Sequence, residues 1–162
     1  MKAWFTVLAL VVSLPLQALT LGQPRPDLAG SLLGSDQPTR LSTLQGERPM
    51  LLAFFSVTCL PCLKEAPDLN LIQQEYGGKV TLIYVSTDPP ALRSKTPGFL
   101  ARAQSSLPVF NPDAAQAREA YEAYGLPKLV LIDPTGKVIW MHEGYDPSLL
   151  QTLRAELAGL HL

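Results

Sequence analysis

The sequence predicts an α/β domain in which a central mixed β-sheet is flanked by helices on both faces. Three predominantly apolar segments, Met50–Phe55, Val80–Val85 and Lys128–Ile132, are typical of central strands covered on both sides. Segments with apolar residues at helical spacing separate them. Strands joined by helices are usually parallel, whereas the turn Pro134-Thr135-Gly136 predicts an antiparallel partner strand over residues 137–143. The sheet is therefore expected to be mixed.

The length and charge of the chain limit the number of domains and the classes of partner that it can have. Its 162 residues are enough for one domain with a proper core. The net charge is −1, and the lysines and arginines are scattered rather than gathered in a basic stripe. Because nucleic-acid binding needs such a stripe, we expect no nucleic-acid partner. We expect the protein to be a monomer.

The first residues have the layout of a secretory signal peptide. A basic start at Met1-Lys2 precedes the apolar stretch Ala3–Leu16, and Ala18 suits the position before a cleavage site. The alternative is a short membrane anchor formed by residues 1–18, although about fourteen apolar residues fall short of the roughly twenty that span a bilayer. Either outcome predicts a periplasmic or secreted domain, residues 19–162, in an oxidising compartment.

The elements before and after the first central strand can be placed in turn. Residues 19–49 are rich in Gly, Pro and Ser and predict a small N-terminal hairpin extension rather than a helix. After the strand Met50–Phe55, a helix is predicted from Leu60 to Tyr76 and ends at Gly77-Gly78. Pro67 lies inside this helix, where it removes one backbone hydrogen bond.

The second half of the chain is predicted as helices, an edge strand, a hairpin and a last helix. Asp88-Pro89 offers an N-cap and a first-turn proline for one or two short helices before residue 106. Residues 107–110 are expected to form a brief edge strand. A helix is predicted over residues 113–124, with Tyr121 and Tyr124 in the core. Asp146-Pro147 is expected to cap the last helix, whose leucines share one face.

The two cysteines, Cys59 and Cys62, lie where the first central strand gives way to its helix. The first turn of a helix carries unpaired N–H groups and a partial positive charge, and both stabilise an anion. This placement is expected to lower the pKa of Cys59 and to make its thiolate the nucleophile. Cys62, one turn further on, could then resolve a mixed disulfide from within the site.

Two other interpretations of the cysteine pair are weaker. A purely structural disulfide would close a loop of only four residues, which restricts the unfolded chain little. A zinc site needs more ligands, and the two histidines, His142 and His161, lack finger-like spacing. We therefore expect no metal and no cofactor other than a redox-active Cys59–Cys62 disulfide.

Three segments together resemble a known family. Residues 22–28, Gly-Gln-Pro-Arg-Pro-Asp-Leu, are similar to a G-x-x-x-P-D-F lead-in, and residues 59–67 are similar to a C-x-P-C-x-K-E-x-P segment. Gly125-Leu126-Pro127 follows far downstream. The chain thus resembles the TlpA/ResA-like group of extracytoplasmic thiol-disulfide oxidoreductases, which have the thioredoxin fold and include the reductases of cytochrome c maturation.

The resemblance implies roles for particular residues. It implies that Pro127 follows a cis peptide bond and packs against the active-site disulfide, so that the backbone of Leu126 can pair with an extended substrate. It also implies that Glu65 lies beneath the cysteines and tunes the thiol pKa values. Taken from the residues alone, Pro127 could be an ordinary trans proline and Glu65 a solvated helix residue. The implied catalytic residues are Cys59, Cys62 and Glu65, and the implied substrate-binding residues are Thr58, Leu60, Pro61, Leu126 and Pro127.

One position departs from the family pattern. The residue before the first cysteine is usually tryptophan, and here it is Thr58, which offers a hydroxyl instead of a flat apolar cover. The leading hypothesis is an enzyme that reduces disulfides in partner proteins, is kept reduced by a membrane thiol electron donor, and acts in cytochrome c maturation. The alternatives are a non-catalytic binding or chaperone module, and a disulfide oxidase or isomerase that uses the same site.

Overall fold

The computed structural model describes residues 19–160, so the expectations for residues 1–18 and for His161 lie outside the described residues. Strands and helices alternate along most of this range. In chain order they are β1 (Ala29–Leu32), β2 (Pro38–Arg40), α1 (Leu41–Gln45), β3 (Met50–Phe55), α2 (Leu60–Tyr76), β4 (Thr81–Ser86), α3 (Pro90–Arg93), α4 (Thr96–Ala103), β5 (Val109–Pro112), α5 (Ala114–Ala120), β6 (Lys128–Ile132), β7 (Val138–Glu143) and α6 (Leu149–Ala158).

The strands form a single mixed sheet within residues 19–160. Its order is β2-β1-β5-β4-β3-β6-β7. The three strands joined by helices, β3, β4 and β5, are parallel, whereas β6 and β7 are antiparallel to their neighbours. The hairpin β1-β2 adds to the other side of the sheet, antiparallel to β5. The predicted mixed sheet and N-terminal hairpin extension are confirmed.

Strand β3 supplies both hydrophobic cores, because successive side chains of a strand point to opposite faces of the sheet. Leu51, Ala53 and Phe55 join a cluster with residues of α2, α4 and α6. Met50, Leu52 and Phe54 join a second cluster with residues of α1 and α5. All six side chains of β3 are at most 1% exposed. Helices therefore cover both faces, as predicted.

The segment predicted as an edge strand is an interior strand. Strand β5 lies between β4 and β1, because the N-terminal hairpin pairs with its outer side. This pairing brings Gly30 so close to β5 that an added Cβ would lie 2.5 Å from the carbonyl oxygen of Asn111. The absence of a side chain at Gly30 allows the approach. On this side of the sheet the edge strand is therefore β2.

The helix predicted over residues 113–124 is shorter than expected. Asp113 caps α5, since its carboxylate accepts the N–H of Gln116 at 2.8 Å. The helix ends at Ala120 with Tyr121 as its C-cap, and Glu122 follows with a left-handed φ of +50°. Tyr121 is fully buried, as predicted, and its hydroxyl donates to the Pro26 carbonyl. The change of direction leaves Tyr124 73% exposed, so its assignment to the core was wrong.

The remaining differences are local. The sequence did not predict α1, whose Leu41 is fully buried in the second core cluster. Ser148, rather than the Asp146-Pro147 pair, is the N-cap of α6, and the Asp146 carboxylate accepts the Ser148 N–H at 2.8 Å. Within residues 19–160, no helix has the length and apolar character needed to cross a membrane.

Candidate active site

The two cysteines are joined in a disulfide at the junction of β3 and α2, as the strand-to-helix pattern predicted. Their Cα atoms are 5.3 Å apart. Cys59 is the N-cap of α2, and its Sγ accepts the backbone N–H of Cys62 at 3.1 Å. In the reduced protein the same N–H would stabilise a thiolate at Cys59, because a hydrogen bond to the charged form lowers a pKa.

The cysteines differ in exposure. Cys59 is partly exposed, whereas Cys62 is fully buried in the first core cluster. The neighbours of Cys59 are exposed too: Leu60 is 66% exposed, and Thr58 and Pro61 also face solvent. A partner protein can therefore reach the Sγ of Cys59 but not that of Cys62.

The sheet brings Leu126 and Pro127 to the same end of β3. In the antiparallel pair β3-β6, Phe54 lies opposite Lys128, so the residues before Lys128 lie beside the end of β3 that leads to Cys59. The Leu126-Pro127 bond is cis, as the family resemblance implied. Pro127 is buried and its carbonyl accepts the N–H of Gly144 at 2.8 Å. Leu126 is half-buried, and within residues 19–160 its backbone N–H and C=O have no hydrogen-bond partner.

A cleft of about 670 Å³ opens beside the disulfide. Five of its lining residues were not predicted as site residues, since they come from separate elements and form no local motif. The residues implied by the family resemblance that line it are Thr58, Cys59, Leu60, Pro61 and Leu126, and the others are Ser56, Thr87, Arg118, Ala123 and Tyr124.

A buried carboxylate holds the turn that leads into Cys59. Asp88 is 1% exposed and accepts hydrogen bonds from the Ser56 hydroxyl at 2.6 Å and from the Val57 N–H at 2.9 Å. The Ser56 hydroxyl oxygen in turn accepts the N–H of Thr58 at 3.3 Å. The expectation that Asp88 caps a helix was wrong, because Pro89 is the N-cap of α3 and the Asp88 side chain points to the cysteine turn instead.

Glu65 lies one helical turn after Cys62 and is only 1% exposed. Burial removes its carboxylate from water and raises the pKa of Glu65 to about 8, and the negative charge of Asp68 adds to the rise. Its Oε1 atom is buried and has no hydrogen-bond partner within residues 19–160. Glu65 is therefore a buried, mostly protonated acid near neutral pH rather than a solvated helix residue.

The two cysteines and His142, the residues considered for a zinc site, are each engaged with other groups in the structure. Both sulfurs are engaged in the disulfide. His142 lies on β7, where its Nε2 is 3.2 Å from the Asp146 carboxylate and its ring stacks on Trp140. Among residues 19–160, His, Cys, Asp and Glu side chains form no group of three or more that could hold a metal ion.

Comparison with known proteins identifies the family. The model of the Redoxin family matches residues 20–157, which is most of the chain and includes both cysteines. The chain belongs to the Redoxin family. It is 25% identical over 124 residues to the thiol-disulfide oxidoreductase YkuV of Bacillus subtilis, a match that covers 74% of this chain and 83% of YkuV. It is 29% identical over 105 residues to the thiol-disulfide oxidoreductase ResA of Halalkalibacterium halodurans, covering 64% of this chain but only 58% of ResA.

Solved structures show the same fold. A Chlorobium tepidum protein assigned as the thiol:disulfide interchange protein DsbE superposes with a TM-score of 0.78 at 26% identity, over 88% of this chain and 99% of that one. The thioredoxin domain of a Bacteroides vulgatus thiol-disulfide oxidoreductase superposes with a TM-score of 0.72 at 23% identity, over 86% and 99%. This Redoxin-family protein thus has the predicted thioredoxin-like fold and is a thiol-disulfide oxidoreductase.

Proposed function

We propose that this Redoxin-family protein reduces disulfide bonds in partner proteins outside the cytoplasm, with the apoproteins of cytochrome c maturation among its partners. The observation that carries the proposal is the unequal exposure of the two sulfurs at the tip of α2. An exposed Cys59 can attack a partner, and a buried Cys62 can only react with Cys59.

The first step joins the protein to its partner. The Cys59 thiolate attacks one sulfur of the partner's disulfide, a mixed disulfide forms, and the other partner sulfur leaves as a thiolate that takes a proton from solvent. The N–H of Cys62, 3.1 Å from the Cys59 Sγ, favours the thiolate that this step needs.

The second step releases the partner. Cys62 loses its proton and attacks the Sγ of Cys59, which frees the second partner sulfur as a thiolate. Two electrons have then passed to the partner, whose second thiolate takes a proton from solvent, so it leaves with two thiols while Cys59 and Cys62 are joined in a disulfide. Glu65, one helical turn after Cys62, would take this proton in its ionised form, because a pKa raised to about 8 makes its carboxylate a stronger base than an ordinary one.

The peptide of the partner would lie along the cleft beside the disulfide. The free backbone N–H and C=O of Leu126 can pair with an extended segment, in the manner of an added strand. Pro127, which follows Leu126, is buried and its carbonyl accepts the N–H of Gly144, so it fixes the chain next to Leu126. The exposed Thr58, Leu60 and Pro61 would form the opposite wall, and Thr58 leaves more room there than the tryptophan common in the family.

The proposed compartment and electron donor follow from residues 1–18 and from the family. An N-terminal signal segment would deliver the domain to an oxidising compartment, where a membrane thiol donor must reduce the Cys59–Cys62 disulfide after each turnover. Without such a donor the same site would run in the oxidising direction, so the reduction potential of the pair decides between the two directions.

The experiment that tests the proposal traps the mixed disulfide. A Cys62→Ser variant, expressed as the full chain, should accumulate covalent complexes with extracytoplasmic proteins, which non-reducing gels and mass spectrometry would identify. A Cys59→Ser variant is the matched control and should trap far fewer. If the Cys62→Ser variant traps nothing and the wild type shows no thiol-disulfide exchange, the proposal fails and a non-catalytic module remains.

A further inference from the structure

Arg118 is the one charged side chain that lines the cleft beside the disulfide within residues 19–160. It extends from α5 and is half-buried, and one of its terminal nitrogens donates to the backbone carbonyl of Thr87 at 2.5 Å. Thr87 also lines the cleft and follows β4, so this hydrogen bond fixes the guanidinium against the sheet.

The charge of Arg118 has no carboxylate partner in the part of the chain that the structure describes. The ion pairs of the other basic residues there involve Arg25, Arg40, Lys128, His142 and Arg154. Two acids close to cleft-lining residues are already engaged: Asp88 follows Thr87, and Glu143 lies near Leu126. Asp88 is bound to Ser56 and Val57, and Glu143, which lies against Gly125, faces Lys128 at 3.9 Å. The guanidinium carries five N–H donors, and the Thr87 carbonyl uses one nitrogen.

A half-buried arginine without a counter-ion suits the recognition of an anion. The planar guanidinium can donate two parallel N–H bonds to the two oxygens of a carboxylate, which the ammonium group of lysine cannot do. The neighbouring lining side chains include Leu60, Leu126 and the exposed ring of Tyr124, and no Asp or Glu within residues 19–160 lines the cleft to repel an incoming carboxylate.

We propose that Arg118 determines substrate specificity by binding an acidic side chain next to the attacked cysteine of the partner peptide. This inference rests on the proposed function, because it names the class of disulfide that Cys59 reduces. A partner segment paired with Leu126 would place its cysteine at Cys59, and Arg118 lies in the same cleft to receive a neighbouring Asp or Glu. The protein would thus prefer acidic over basic disulfide-containing peptides.

The test compares two synthetic peptides that differ only in having Glu or Lys beside a cysteine held in a disulfide with a small neutral thiol. With the reduced wild-type protein, the Glu peptide should react about fivefold faster than the Lys peptide, the size expected for one partly screened ion pair. The preference should shrink as salt is added. Arg118→Gln should bring the rate ratio close to one, Arg118→Glu should invert it, and Arg118→Lys should retain part of it.

Two controls separate recognition from other effects of the charge. Arg48 is an exposed arginine that, like Arg118, donates to a backbone carbonyl, here that of Gly78. It precedes β3 and so lies at the end of that strand opposite to Cys59. Arg48→Gln should therefore leave the rate ratio of the two peptides unchanged. The rate with a small neutral disulfide should be similar in wild type and Arg118→Gln. If Arg118→Gln slows both peptides and the neutral disulfide equally, the arginine acts on the Cys59 thiolate and the inference is wrong. A wild-type ratio near one would also overturn it, while failure of both peptides to react would overturn the proposed function itself.

Discussion

The backbone N–H of Cys62 donates to the Sγ of Cys59, which is partly exposed, while the Cys62 side chain itself is fully buried. Cys62 therefore stabilises the reactive sulfur of Cys59, although its own side chain is inaccessible to solvent. In the reduced protein near neutral pH, we expect iodoacetamide to label Cys59 at least about tenfold faster than Cys62. Mass spectrometry of the digested protein would measure both rates. Equal labelling of the native protein would contradict this order, and equal labelling after denaturation is the control.

Asp88 is expected to be important for stability as well as for the shape of the cysteine turn. Asp88→Ala would leave the Val57 N–H and the Ser56 hydroxyl without their acceptor, and should lower the free energy of unfolding by about 3 kcal/mol. Guanidinium unfolding of the oxidised protein measures this loss. Asp36→Ala, at an exposed position in the β1-β2 turn, should change the free energy of unfolding by less than about 0.5 kcal/mol. Similar losses in both variants would show that Asp88 does not hold the turn.

Glu65 should make the stability of the oxidised protein depend on pH. Its pKa is about 8 in the folded protein and 4.5 when unfolded, so the folded state binds the proton more tightly. The resulting stability is fully present below pH 4.5 and is lost as the pH rises through about 8. The loss should be on the order of a few kcal/mol. In Glu65→Gln the free energy of unfolding should vary much less over this range, and an equal slope in both proteins would refute the assignment.

Tyr121 and Tyr124 form a matched pair that separates packing from recognition. Tyr124→Ala removes a side chain that is 73% exposed in the cleft, so it should slow reduction of partner peptides while changing the free energy of unfolding by less than about 0.5 kcal/mol. Tyr121→Ala empties a fully buried site and should cost roughly 3–5 kcal/mol. Exchange kinetics and chemical unfolding of both variants would check this. A stability loss at Tyr124 as large as that at Tyr121 would contradict the exposed position.

The sequence predicted those parts of the fold that depend on local pattern. The unbroken apolar run of β3, and the glycines after Tyr76, define the strand and the helix that carry the cysteines, and both are found at the predicted bounds. The interior position of β5 in the sheet could not be predicted from local pattern. It depends on a distant hairpin whose close approach is permitted by Gly30, and no pattern within β5 reveals that pairing.

The site shows the same division between local and long-range information. Cys59 at a helix tip follows from the residues around it, whereas the cis bond before Pro127 was implied only by the family resemblance. Tyr124 was misplaced because helical spacing was continued past Tyr121, although the chain turns at Glu122. Arg118 lines the cleft beside the disulfide from α5, and Asp88 binds the turn before Cys59 from the end of β4. Their roles therefore depend on tertiary structure that spacing does not encode.

The pKa of Cys59 is the most direct test of the account. It can be measured in the Cys62→Ser variant, which keeps the backbone N–H that faces the Cys59 Sγ, by following the rate of alkylation as a function of pH. Because this sulfur lies at the N-cap of α2 and accepts that N–H, we expect a pKa at least about one unit below the 8.5 of a free cysteine. A value of about 8.5 or higher would contradict an activated thiolate at Cys59.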